Sequence, residues 1–203
     1  MTSLRHAATI AALLLCLFAH ASHAKDAAKH RAETPDDGAS ADSAVADGLH
    51  AMITTATLDD FKRFQEEWYG TAVEHAPHLA TTDRMHRGEP FVVVLAYGGC
   101  APKDAGEADI AAGKVPCAAR VDLRMTDPAG KTALPVNDMS LADQQPAAPT
   151  GIVQLSPVTL QITFDATDAD GPYRIEATVD DPDNDRVLRI ATTVELLPDA
   201  PAP

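Results

Sequence analysis

Hydrophobic and polar residues alternate with a period of two along much of this chain. Ala119, Val121, Leu123 and Met125 interleave with Arg120, Asp122 and Arg124, and Val158, Leu160, Ile162 and Phe164 with Thr159, Gln161 and Thr163. Tyr173, Ile175, Ala177 and Val179 do the same with Arg174, Glu176 and Thr178. Successive side chains of a strand point to opposite faces, so each run predicts a strand with one face in a core and one in water. A last strand over Val187 to Leu197 offers Leu188, Ile190, Val194 and Leu196 to that core. Phe91 to Tyr97 is an unbroken, largely β-branched run ending in Gly98-Gly99, which predicts a strand buried on both faces. Cys100 closes this strand and Cys117 opens the next, so the two are expected to form a hairpin.

Turn chemistry separates the runs. Asp127-Pro128-Ala129-Gly130 places proline at the first central position of a turn, and Pro135 marks Thr132 to Val136 as an edge strand. Residues 165–172 and 180–185 are further turns, and Ser156-Pro157 reads as a break within one strand that begins at Ile152. With strands running strictly up and down, loops 101–116, 137–151 and 181–186 gather at one end, where loop residues are the usual carriers of binding. Ahead of the strands, Thr57 can cap a helix with Asp60 at its third position. Leu58, Phe61, Phe64, Gln65 and Trp68 then recur at helical spacing, predicting a helix over about 57–69 that docks on the sheet. The fold expected is mainly β, an antiparallel immunoglobulin-like β-sandwich of about seven strands preceded by one N-terminal helix, in a single domain over 49–197.

The N-terminus changes the setting of this domain. Arg5 and His6 precede an apolar run from Ala7 to Ala19, and Ser22 and Ala24 are small residues at the positions a signal peptidase reads, so 1–24 is expected to be a secretory signal peptide and the protein periplasmic. Leu14 and Leu15 stand before Cys16 where lipoprotein signals carry small residues. Residues 25–48, rich in Ala and Asp, are expected to be a disordered leader, and 198–203 a proline-rich tail. No later run is long enough to span a bilayer, which takes roughly 20 residues. In an oxidising compartment Cys100 and Cys117 are expected to pair.

The full chain of 203 residues carries 16 basic and 30 acidic side chains, a net charge of -14. Loss of 1–24 removes Arg5 and no acid, leaving -15. Such a charge disfavours nucleic acid and anionic lipid and steers basic proteins towards the molecule. Catalytic signatures do not accompany it. Ser40, Ser43, Ser140 and Ser156 lack a nucleophile-elbow sequence, and no His-Glu-x-x-His, Walker or Rossmann pattern occurs, so no enzyme and no cofactor are expected. His75, His78 and His86 lack a carboxylate or thiolate at ligand spacing. Asp165, Asp168 and Asp170 form one candidate calcium cluster and Asp180, Asp181, Asp183, Asn184 and Asp185 another, set against the preference of turns for Asp, and the first is the alternative carried forward.

The run Asp170-Gly171-Pro172-Tyr173-Arg174-Ile175-Glu176-Ala177-Thr178-Val179-Asp180-Asp181 resembles the Gly-x-Tyr passage leading into the penultimate strand of bacterial Ig-like domains. Ala169 replaces the Asp found two residues before that Gly, and Ile175 replaces the inter-sheet cysteine, so Cys100 and Cys117 are assigned to a hairpin staple. The wider layout of Phe64 and Trp68, Arg84-Met85-His86-Arg87-Gly88, Gly99-Cys100 and Asp127-Pro128-Ala129-Gly130 is similar to small periplasmic proteins of proteobacteria, some of which are immunity or inhibitor proteins. That resemblance implies a protein-binding module that neutralises a basic toxin or cell-wall hydrolase. Asp104, Glu107, Asp109, Asp181, Asp183 and Asp185 are its expected contact residues, and a calcium-binding or structural domain of an envelope assembly is the alternative.

Overall fold

The computed structural model describes residues 41–70, 77–143 and 145–199. All lie in one compact unit, residues 38–203. The expected signal peptide and most of the expected leader fall outside the described residues, as does His75.

Among the described residues, ten strands form two five-stranded sheets. In the first, β1 (Ser43–Ala46), β2 (Leu49–Thr57) and β4 (Pro90–Gly98) lie side by side, and β7 (Gln154–Leu155) and β8 (Leu160–Thr163) share the far edge of β4. The second runs β3 (Arg84–Met85), β10 (Arg186–Leu196), β9 (Gly171–Asp181), β5 (Arg120–Thr126) and β6 (Thr132–Ser140). Every pairing is antiparallel except that of β3 with β10. Two helices complete the described residues, α1 (Leu58–Gly70) and α2 (Glu107–Ala111).

Period-two alternation decides which side chains meet. Ile53, Phe91, Val93, Leu95 and Tyr97 from the first sheet share one core with Val121, Leu123, Tyr173, Ile175, Ala177, Val179, Ile190 and Val194 from the second. Phe164, at the corner between β8 and β9, lies between Phe91 and Tyr173 with ring centroids 5.3 and 4.5 Å away. The opposite face of β4 is also dry over its first half. Val92 and Val94 pack with Ala56, Leu155, Phe61 and Phe64 in a second cluster, against which Leu58, Trp68 and Leu79 rest. The helix stripe therefore builds its own core on the outside of the first sheet, and burial of each phenylalanine stabilises it by about 2 kcal/mol. Thr57 caps α1 as expected, its Oγ1 accepting from the Asp60 N–H at 3.1 Å.

Three expectations need correction. Cys100 and Cys117 are bonded, with Cα atoms 5.5 Å apart, but they do not staple a hairpin. Strand β4 pairs with β2, β7 and β8, and β5 pairs with β6 and β9, so the bridge clamps a crossover between sheets. A hairpin turn spans about 2 to 5 residues, and the 99–119 connection is far longer. The segment assigned to the leader ends in a strand, because Asp47 and Gly48, at φ 47 and 83, form the two-residue turn that pairs β1 with β2. Residues 137–140, assigned to a loop, extend edge strand β6. Ser156-Pro157 does interrupt one strand: β7 and β8 both run antiparallel to β4, with the register displaced between them.

Candidate functional site

The strand directions bring the turn at Asp47-Gly48 and the loops 99–119, 141–153 and 182–185 to the same end of the molecule. Their chains touch there. Gly99, at φ 71, lies against the Gly48 carbonyl, where a Cβ would collide with backbone. The Ala147 N–H donates to the Val115 carbonyl at 2.8 Å, and Pro116 bridges to Pro146. Tyr97 rises from the core into this end and its hydroxyl meets Gln145 Oε1 at 3.2 Å. Burial pushes that phenol up to about 12.

A buried ion pair ties the loops together. Asp181 and Arg186 face each other where β9 passes into β10, and they are 0% and 4% exposed. Arg186 donates through Nε at 3.0 Å and through Nη2 to Asp181 Oδ2. Its Nη1 donates to the Asp47 carbonyl at 2.9 Å. Asn184 Nδ2 donates to both Asp181 oxygens at 3.1 and 3.0 Å, while Asn184 Oδ1 accepts from the Lys103 N–H at 3.0 Å. A guanidinium and a carboxylate this deeply buried are tolerable because their remaining donors and acceptors are satisfied.

This geometry removes Asp181 from the expected contact residues, since it has no surface to offer. Asp104, Glu107, Asp109, Asp183 and Asp185 are all exposed at the loop end, joined by Asp47 and Asp143. Lys114 stands 3.5 Å from Asp109 and Lys103 stands 3.8 Å from Asp47, both in solvent, where such pairs contribute little. The end is thus acidic, and it is held by a disulfide, a buried ion pair and backbone bonds between loops. Sequence reasoning missed the buried pairing of Arg186 and Asn184 with Asp181. The signal was parity: Asp181 continues the inward series Tyr173, Ile175, Ala177 and Val179, and Arg186 continues Leu188 and Ile190.

The alternative calcium residues lie at the opposite end and are occupied otherwise. Asp165 Oδ1 accepts from the Thr167 N–H at 2.7 Å and from Thr167 Oγ1 at 2.6 Å, which holds its carboxyl below the ordinary aspartate range. Asp168 Oδ2 accepts from the Asp165 N–H at 2.7 Å. Asp170 pairs with Arg87, which also donates to the Asp168 carbonyl at 2.8 Å and lies 3.5 Å from Asp199. The Asp170 hydrogen bond outweighs burial and raises the Arg87 guanidinium above its ordinary value. Among the described residues no three His, Cys, Asp or Glu side chains are grouped to hold a metal ion. No helix among them is long and apolar enough to cross a membrane.

The outer face of the second sheet is charged, and three of its arginines are paired. Arg124 Nη2 reaches Glu176 at 2.5 Å, Arg174 Nε reaches the same carboxylate at 3.1 Å, and Arg120 meets Asp138 at 2.5 Å. Burial opposes charge on Glu176, yet the two arginines outweigh it and hold this carboxyl below the ordinary glutamate range.

No family model matches the chain, and no curated protein matches it. Among solved structures, the chain is similar to a family 123 glycoside hydrolase from Clostridium perfringens, described in connection with glycolipid glycan hydrolysis, at 8% identity and a TM-score of 0.36. The match covers 73% of this chain and spans only 27% of that one. A likeness at this level carries no conclusion about activity.

Proposed function

We propose that this chain is an exported, immunoglobulin-like binding domain that acts in the periplasm by neutralising a basic protein, a toxin or a cell-wall hydrolase. One observation carries the reading. Five exposed carboxylates expected to make contact, those of Asp104, Glu107, Asp109, Asp183 and Asp185, share one end of the molecule on loops that are covalently and electrostatically braced. Braced loops bind without a large ordering cost, and a net charge of -15 after signal removal would speed encounter with a cationic surface.

Two features support the immunoglobulin-like assignment. With β7 and β8 counted as one broken strand, β2, β4 and β7/β8 share a sheet while β6, β5, β9 and β10 share the other, an order that matches the A-B-E and C′-C-F-G distribution of such domains. The Tyr173 hydroxyl donates to the Ala169 carbonyl at 3.0 Å, as in the tyrosine corner at the start of strand F.

The test is capture of partners from envelope fractions by residues 25–203 at low and high salt, followed by co-expression of any captured protein with the full chain. A basic partner released by salt, whose toxicity or wall-degrading activity is relieved by the exported protein, is the expected result. Capture of nothing at low salt, where electrostatic attraction is strongest, would overturn the reading.

A further inference from the structure

Helix α1 covers only part of the outer face of the first sheet. It packs over Ala56, Val92, Val94 and Leu155. The other half of that face, towards the acidic loops, is covered by no helix among the described residues and carries exposed hydrophobic side chains around the His50 ring. Of the six large hydrophobic side chains most exposed among the described residues, four lie on or beside it: Val45 at 75%, Met52 at 49%, and Ile152 and Val153 at 37% each. Register makes them neighbours. Val45 stands opposite His50 and His50 opposite Gly98, while Met52 stands opposite Ala96, which is opposite Leu155. The His50 ring lies across Gly98, where any Cβ would collide with it and with the Ile152 carbonyl. The surface is therefore a shelf with Val45 and Met52 on one side, Ile152 and Val153 on the other, and the His50 ring between them.

Charge borders this shelf. Asp42 precedes β1 and Asp47 follows it, both exposed, and the Asp47 turn is bonded through Arg186 to the loop that bears Asp183 and Asp185. An exposed apolar patch with a polar rim is the arrangement of a protein-binding surface, the centre supplying affinity and the rim orientation. A second copy of this chain would bring like charge to like charge at that rim. We propose that the half of the first sheet beside the acidic loops is the apolar floor of the binding site, and that its occupant is a segment of the partner with an apolar face flanked by lysine or arginine. The apolar side chains seat on Val45, Met52 and Val153, and the cations reach Asp47 and the acidic loops. This rests on the reading of the loop end as the place where a basic partner is bound, and it extends that site around the edge of the sheet.

Two synthetic helical peptides of equal charge test it, one of leucine and lysine and one of serine and lysine. The full chain after signal removal is titrated with each while the methyl resonance of Met52 is followed. The Leu/Lys peptide is expected to bind at least about tenfold more tightly and to shift Met52. Met52→Glu and Val45→Glu, both at exposed positions, are expected to remove that preference without changing the melting temperature. Asp104→Asn/Glu107→Gln/Asp109→Asn is expected to weaken both peptides in a salt-dependent way. Equal binding of the two peptides, or Leu/Lys binding that leaves Met52 unmoved, overturns the apolar floor and leaves the acidic loop end standing. Binding of neither at low salt overturns both. A dimer in size exclusion that Met52→Glu converts to monomer overturns the proposed occupant, since a second copy then covers the face.

Discussion

Asp181 and Arg186 sit opposite each other at the mouth of the β9–β10 turn, and both are buried. Truncating one leaves the other charged, buried and unpaired. Asp181→Ala or Arg186→Ala is therefore expected to cost about 3 to 5 kcal/mol, and a double replacement by apolar residues of similar volume markedly less than the sum, as chemical denaturation would read directly. An additive cycle would show that the pair does not act as a unit. Tyr97 offers a second probe of the same end. Burial raises its phenol from the ordinary 10 to about 12, so the folded protein keeps a proton that the unfolded chain gives up. Stability from this group is complete below pH 10 and is lost as pH rises towards 12. A phenolate absorbance titration should show Tyr97 ionising late, and a Tyr97→Phe variant with an unchanged high-pH limb would contradict this. Both groups were partly legible in sequence. Tyr97 closes an apolar run, but Asp181 stands among turn-forming acids, and only its parity with Val179 marks it as inward.

The elements that alternate cleanly were legible almost to their ends: β5, β8, β9 and β10, and α1 with its Thr57 cap. Strands β1 and β2 were not, although Asp47-Gly48 is the usual two-residue hairpin turn and Leu49, Ala51 and Ile53 alternate after it. Alanine fills half of β1, and alanine and threonine more than half of β2, and these carry a weak hydrophobic signal. Partner choice was the other failure. Consecutive strands are commonly neighbours, so β4 and β5 looked like a hairpin, whereas β2 and β7/β8 flank β4, the second sheet buries its inner face and α1 covers Val92 and Val94 on the other. The disulfide then closes a crossover. Replacing Cys100 and Cys117 together by alanine is expected to lower stability by on the order of 3 kcal/mol and to raise proteolytic sensitivity within 101–116, with the strands intact by circular dichroism. A loop equally resistant without the bridge would show that backbone bonds to Ala147 and Asn184 suffice to brace it.

At the scale of the molecule, the two ends differ in what their acids do. Asp165, Asp168 and Asp170 are taken up by Thr167, by backbone and by Arg87. Millimolar calcium is accordingly expected to leave the melting temperature unchanged, and a rise that a chelator reverses would assign that corner to a cation after all. Asp104, Glu107, Asp109, Asp183 and Asp185 face solvent from loops that are fixed in place. Composition and the up-and-down order of the strands made the acidic end legible, but only the register of β9 on β5 and β10 shows that Asp181 is buried. The most direct test of this division is hydrogen exchange on a complex with a captured basic partner. Protection confined to residues 42–53, 101–116, 150–155 and 182–185 is the predicted result. Protection centred on 127–131 and 165–170, at the opposite end, would contradict it.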